Sequence, residues 1–310
     1  MILSQAQDCG SLFASCLFSA CLKRQYNPQP EHRSPTSVIN MILVTGATGF
    51  LGHNLIPLLV GHGRRVRAFV RSASDYGFLR ECDVELAFGD VRNADAVYAA
   101  MTDCAAVIHA AGKFRFWGEP GEFASTNVEG TRNVLEAARC AGVRRFVHIS
   151  TIAVVGNPKP GMLITEDTSC HPADDYQRSK LRGEQLALAY YAENGLPVIV
   201  LRPGAFYGPW GRYAFNRLFF EDPLKGLPLR VHHGQHVTFP IFVPDLCHTI
   251  ESVLTTGRLH SQKNSAKSSW AFWLRSSRLT SAPVSRSSSP ATAEGLHEVG
   301  AVLLGQVGHA

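Results

Sequence analysis

Cysteines in paired motifs are missing from this chain. The eight it has (Cys9, Cys16, Cys21, Cys82, Cys104, Cys140, Cys170 and Cys247) are scattered without a Cys-x-x-Cys, and with the 13 histidines they form no metal-ligand spacing. No metal site is expected, and reduced thiols in a cytoplasmic compartment are. A membrane-length apolar run is missing as well. The stretch from Ser11 to Leu22 is 12 residues, short of the roughly 20 a bilayer needs. It imitates a signal peptide, yet no Lys or Arg precedes it, Asp8 does, and FSAC ending at Cys21 matches a lipid-attachment site only loosely.

A basic surplus is missing where it would matter. The net charge of +5 comes from the flanks: residues 1–40 carry three basic and two acidic side chains, 41–257 carry 21 of each, and 258–310 carry six and two. The neutral middle argues against a nucleic-acid groove. Neither nucleic acid nor membrane is expected as a partner. Acidic residues, in turn, are absent from Ser252 to Ala293, where the chain becomes Ser-rich without usable periodicity. Residues 258–310 read as a disordered basic tail or as the product of a shifted reading frame, and in either case not as a continuation of the fold. Residues 1–40 read as a disordered leader or a misassigned start, since Met41 opens the first convincing strand.

From residue 41 onward, short β-rich runs alternate with helical stretches. MILVTG (41–46), RVRAFV (65–70), VELAFG (84–89), AVIHAA (106–111), RFVHIS (145–150) and PVIVLR (197–202) are mostly continuously apolar, as parallel strands covered on both faces are. Helices are predicted at 50–61, 93–102, 127–141 and 175–194, with Gly142 stopping the third and Pro57 a discord expected to bend the first. The fold class that follows is α/β: a Rossmann-type, doubly wound parallel sheet over 41–200, followed by a small, truncated substrate lobe over 201–257.

VTGATGFLGHNL follows the first strand and opens the first helix, which is the context a dinucleotide loop requires. Gly46 would turn sharply, Gly49 would let a pyrophosphate approach the backbone, and Gly52 would let helix pack on strand, with Thr48, Phe50 and Leu51 between them. The free N–H groups at the helix start would face the phosphates. After the second strand, where NAD enzymes usually carry an acid for the ribose, this chain has Arg71 and Ser72. A guanidinium there pairs with a 2'-phosphate, so NADP is expected in preference to NAD. Tyr176 and Lys180 stand four apart on one predicted helix, sharing a face. That spacing serves an acid/base pair or an ordinary half-buried Tyr beside a solvated Lys.

Seven motifs in order, TGATGFLG (45–52), GDV (89–91), HAAG (109–112), NVEGTRNVLEAA (127–138), ISTIAVVG (149–156), YQRSK (176–180) and LRPGAFYGP (201–209), resemble the extended short-chain dehydrogenase/reductases, or NAD-dependent epimerase/dehydratase family, over roughly 41–257. Within it the dihydroflavonol reductase-like and 3β-hydroxysteroid dehydrogenase-like branches look nearest, with hopanoid-associated sugar epimerases close.

The resemblance implies Thr151, Tyr176 and Lys180 as catalytic, Ser150 as the alternative to Thr151, and Asn127 as a support from the next helix. It puts Asp90 and Val91 against the adenine, Ala110, Ala111 and Gly112 along the cofactor, Pro203 and Gly204 near the nicotinamide, and Lys180 on the nicotinamide ribose. Chemistry agrees: a phenol with pKa near 10 is a sluggish acid/base, and a neighbouring ammonium would lower it. A reductase or dehydrogenase acting on a small molecule is expected, with an epimerase or a turnover-deficient cofactor binder as alternatives and a homodimer as a further expectation. A 4,6-dehydratase fits less well, because Ile152 and Ala153 stand where that branch has an acidic pair. KFRFWG (113–118) and RYAFNRLFF (212–220) read as substrate wall or as ordinary core.

Overall fold

A computed structural model describes residues 41–115, 119–158, 162–211, 216–226, 239–255 and 271–272. The leader (1–40), most of the Ser-rich tail, and residues 116–118 and 212–215 of the two aromatic segments lie outside that set. Strands β1 (Ile42–Thr45), β2 (Val66–Val70), β3 (Val84–Phe88), β4 (Ala106–His109), β5 (Arg145–Ile149) and β6 (Val198–Leu201) fall inside the six predicted runs. They form one parallel sheet in the order β3-β2-β1-β4-β5-β6.

The alternation within β1 explains the two layers. Ile42 and Val44 point to one face and Leu43 to the other, as a pleat demands. The first face is covered by α1 (Phe50–Gly61), through Leu51, Leu55, Ile56 and Leu59. The second is covered by α2 (Ala94–Met101), α3 (Gly130–Ala141) and α4 (Asp175–Asn194), through Val97, Val134, Leu135 and Ala187. Gly142 and Gly195 end α3 and α4 in the left-handed region, at φ 67° and 69°. Helix α1 runs unbroken through Pro57, whose ring is exposed.

Three features depart from expectation. The predicted helix over 127–141 starts with a π-helical turn, Ala124–Glu129, and becomes α-helical only at Gly130. Close packing fixes this: a β-carbon at Gly130 would come within 2.7 Å of Val91 Cγ2, and one at Gly183 within 2.6 Å of the Asn127 carbonyl oxygen. Helix α5 (Val243–Thr255) lies in the stretch assigned to the substrate lobe, yet its Leu246, Cys247, Ile250 and Leu254 fill the core beneath α1. The tail is not wholly apart from the fold either, since Ala271–Phe272 forms a two-residue strand, β9, parallel to β6. The rest of the lobe includes a small parallel sheet of β7 (Ala205–Tyr207) and β8 (Pro240–Phe242).

Cys82, Cys104, Cys170 and Cys247 are free thiols. Cys140 is disulfide-bonded and departs from the expectation of uniformly reduced cysteines. Among the described residues no helix is long and apolar enough to cross a membrane.

Candidate active site

Parallel strands bring the carboxyl ends of β1, β4, β5 and β6 to one edge of the sheet, and the sequence motifs gather there. Gly46 leaves β1 at φ 71°, and a β-carbon on it would sit 2.7 Å from Ala110 C and Ala111 N. Gly52 lies so close to Ala47 that a β-carbon would overlap its carbonyl oxygen. Gly49 caps α1, donates its N–H to Gly46 O at 2.9 Å and is exposed; no acidic residue occupies the first helical turn. This cradle, open at Gly49 and free of negative charge, fits a dinucleotide pyrophosphate, which Gly46, Thr48, Gly49 and Phe50 would hold. Leu51 points into the core instead, at 5% exposure.

The first turn of α1 also grips the second lobe. Asn54 Nδ2 donates to Pro209 O at 3.0 Å, Phe50 meets Phe206 with centroids 6.1 Å apart, and His53 lies between Phe78, stacked at 3.8 Å, and Trp210 at 5.5 Å.

Behind the loop runs a buried polar chain whose members lie in three of the motifs, with a role foreseen for Asn127 alone. Thr131 Oγ1 donates to Asn127 O at 2.7 Å, so it accepts from His109 Nε2 at 2.9 Å. That leaves His109 Nδ1 to accept from Thr45 Oγ1 at 2.8 Å, and Thr45 to accept from Ala111 N at 3.2 Å. The chain ties the turn Ala110–Gly112 to the π-helical turn. Burial first, then the Lys180 charge, pushes His109 down to about 3. His148, its register partner on β5, lies 5.5 Å away ring to ring, and neither ring nitrogen has a hydrogen-bond partner among the described residues. Burial, Lys180 and His109 hold it well below the usual histidine range.

Both histidines therefore stay neutral in the folded chain and take up protons when it unfolds. Their folded values are depressed, so stability is fully present above the unfolded value near 6.5 and is lost as pH falls below it. For His109 the loss continues to about 3, at about 1.4 kcal/mol per pH unit for each group. Replacing the unpaired His148 with Leu is expected to flatten this slope by about one group's worth. Denaturant unfolding at pH 5, 6 and 7 checks it, and an unchanged slope would refute the assignment.

Helix α4 begins where Asp174 accepts from Gln177 N at 2.7 Å and the Gln177 side chain accepts from Ala173 N at 2.7 Å. Tyr176 follows in its first turn, partly exposed, with the edge of its ring against Phe114 (5.0 Å) and Phe123 (6.5 Å). The Thr151 side chain lies close enough to the Tyr176 phenol to draw its pKa down. Thr151 also caps a 3-10 turn, Ile152–Val155, accepting from Ala153 N at 3.2 Å. One turn along α4, Lys180 is buried and donates from Nζ to Ile149 O at 2.6 Å.

The expected lowering of the Tyr176 pKa is corrected here. Burial outweighs the pull of Thr151 and pushes the phenol up to about 12. Lys180 is lowered to about 8, by burial first, with Glu184 opposing. Asn127, 2% exposed, works on the backbone rather than on reacting atoms. Its Oδ1 accepts from Lys113 N at 2.7 Å, and its Nδ2 donates to Lys113 O at 3.1 Å and Ser179 Oγ at 2.8 Å. Gly112 lies beside it: a β-carbon there would meet Asn127 Oδ1 at 3.4 Å and Lys180 Nζ at 3.8 Å.

The remaining candidates divide. Arg71 is exposed beyond β2 and contributes to lowering the Asp90 pKa, though Arg92, bonded to Asp90 through two 2.9 Å contacts, does more. Val91 is turned inward against Gly130. Pro203 accepts from Ile152 N at 2.9 Å, and Gly204 packs so tightly on Phe239 that a β-carbon would overlap its carbonyl oxygen. No role was foreseen for Glu184, which continues the four-residue spacing of Tyr176 and Lys180, or for Arg202, which lies within LRPGAFYGP just before Pro203. That continued spacing was the available signal.

The model of the NAD dependent epimerase/dehydratase family matches residues 42–241. Sterol demethylase protein B of Methylococcus capsulatus is 39% identical over 171 residues, covering 54% of this chain and 52% of that protein. A 3 beta-hydroxysteroid dehydrogenase/Delta 5-->4-isomerase of Mycobacterium tuberculosis is 32% identical over 206 residues, covering 62% and 54%. The matched part spans about half the length of these curated relatives. Among solved structures, a dTDP-glucose 4,6-dehydratase from Streptomyces venezuelae with NAD bound superposes with a TM-score of 0.64 at 30% identity, covering 70% of this chain and 73% of that one.

Proposed function

Because the chain belongs to the NAD-dependent epimerase/dehydratase family, we propose that it is an oxidoreductase that uses NADPH to reduce a ketone on a small, cyclic molecule. The observation that carries this reading is the Tyr176 phenol: partly exposed, placed beside Thr151, and protonated at neutral pH, with burial pushing it up to about 12. A protonated phenol at this position can supply the proton that reducing a carbonyl requires.

A nicotinamide cofactor supplies the hydride when bound. Thr151 holds the substrate oxygen beside Tyr176, and Tyr176 delivers its proton to that oxygen. Lys180 and Asn127 keep the Tyr176 turn of α4 in place, and Lys180 would hold the nicotinamide ribose. Support for a cyclic substrate comes from two relatives, one named for a sterol and one for a 3 beta-hydroxysteroid. The dehydratase likeness weighs less, since Ile152, buried at 7%, and Ala153 follow Thr151 in place of acids.

The preference for NADPH rests on Arg71, exposed where a 2'-phosphate would sit. Arg71→Ala is expected to weaken NADPH binding by about 10- to 100-fold, the range of a lost charge-assisted hydrogen bond, and to leave NADH nearly unchanged. Fluorescence titration of both cofactors checks it; NADPH binding no tighter than NADH in the unmodified chain would refute the preference. Steady NADPH consumption over a panel of sterol, flavonoid-like and sugar ketones tests the reaction itself, and stoichiometric NAD(H) carried through purification would mark an epimerase instead. A cytoplasmic setting and a homodimer complete the proposal. The charge balance over 41–257 favours a small molecule over nucleic acid as partner.

A further inference from the structure

Three functional strips meet at the sheet edge, and each carries one member of a buried polar cluster. Ser150 precedes Thr151 at the end of β5, Glu184 lies one turn beyond Lys180 on α4, and Arg202 precedes Pro203 at the end of β6. Ser150 Oγ donates to Glu184 Oε2 at 2.8 Å. Arg202 Nε lies 3.1 and 3.0 Å from the two Glu184 oxygens, and its Nη2 donates to Oε1 at 2.5 Å. The side chains of Arg202 and Glu184 are 9% and 2% exposed. Backbone bonds run alongside: Ser150 N donates to Leu201 O at 2.7 Å and Ile152 N to Pro203 O at 2.9 Å.

A buried ion pair is a poor way to gain stability, because desolvating two charges offsets most of their attraction. Here one guanidinium nitrogen, Arg202 Nη1, is buried with no hydrogen-bond partner, a further cost. An apolar pair would fill the same space more cheaply, so the cluster calls for another role. We propose that Ser150, Glu184 and Arg202 form a clasp that positions Thr151, the Tyr176–Lys180 face and the Pro203 turn against one another, and that the Glu184 carboxylate sustains the charge of Lys180. The inference rests on the reaction proposed above. All three are positioning residues, since each acts through its neighbour.

Lys180 faces charged or titratable groups from four elements: Glu184 on its own helix, His109 on β4, His148 on β5 and, through Glu184, Arg202 on β6. Of these, Glu184 alone favours the ammonium.

Two variants test the clasp. In Glu184→Gln, the Lys180 amine, followed by nitrogen NMR of labelled lysine, should titrate below its value of about 8; an unchanged midpoint overturns the electrostatic role. Removing one partner of a buried pair endangers folding, so the second variant replaces both, Glu184→Leu with Arg202→Met. It should unfold within about 5 °C of the unmodified chain while NADPH-dependent turnover falls by about ten- to a hundredfold. Unimpaired turnover in that double variant overturns the positioning role. The titration is read without substrate, so it decides the electrostatic role even if the unmodified chain consumes no NADPH, a result that would defeat the functional reading alone.

Discussion

Tyr176→Phe is expected to lower turnover by about two to four orders of magnitude, the usual worth of a positioned general acid, while cofactor affinity stays within about threefold. The asymmetry follows from where the oxygen points. The Tyr176 ring keeps its edge contacts with Phe114 and Phe123 when the hydroxyl is removed, so α4 loses no packing. What disappears is the phenol proton beside Thr151. Single-turnover reduction with bound NADPH isolates the chemical step, and turnover surviving within tenfold would remove Tyr176 from the role. Because the phenol holds its proton up to about 12, the reductive rate should not fall on the alkaline side through loss of that proton anywhere near neutral pH. An alkaline decline between 7 and 9 would instead report Lys180, whose value is about 8.

Gly52→Ala should be the most damaging change in the phosphate loop. A β-carbon at Gly52 overlaps the carbonyl oxygen of Ala47, a backbone atom that cannot swing aside as a side-chain tip does. Either the helix start or the loop must shift, at about 1–3 kcal/mol of overpacking or more, and the N–H groups that face the phosphates shift with it. Cofactor affinity is expected to fall by more than about tenfold, alongside a lower unfolding midpoint. Gly61→Ala at the other end of the same helix is the control. Nothing lies within 4 Å of its added β-carbon, so it should be neutral or stabilising by about 0.4–1 kcal/mol. Equal effects from the two substitutions would mean that the damage arises from the change of residue type and not from the contact.

Much of the sheet was legible because its strands are apolar on both sides, a pattern that survives any choice of partner. The third predicted helix announced its end through Gly142, where local chemistry suffices. Other features depend on contacts between distant segments. The π-helical turn at Asn127 comes from the closeness of Gly183 and Gly130 to their neighbours, which no local window contains. Helix α5 resembled part of an outer lobe because its burial is decided by α1, some 190 residues earlier in the chain. The direction of the Tyr176 shift could not be read from the Tyr-Lys spacing either. Spacing sets which groups are near, whereas desolvation depends on what closes over them, here Phe114 and Phe123. His109, although it opens HAAG, and Glu184 received no role for a related reason: a buried polar residue looks ordinary in a sequence until its surroundings are known.

The grip of α1 on the second lobe has a mechanical meaning. Asn54, Phe50 and His53 reach Pro209, Phe206 and Trp210 from the same helical turn that opens the phosphate cradle. That turn therefore couples the β7–β8 sheet to the cradle: a substitution that displaces one side of the contact is transmitted to the other. Trp210, 60% exposed and held at φ 69°, is the solvent-facing end of that coupling, reached from the cradle through His53.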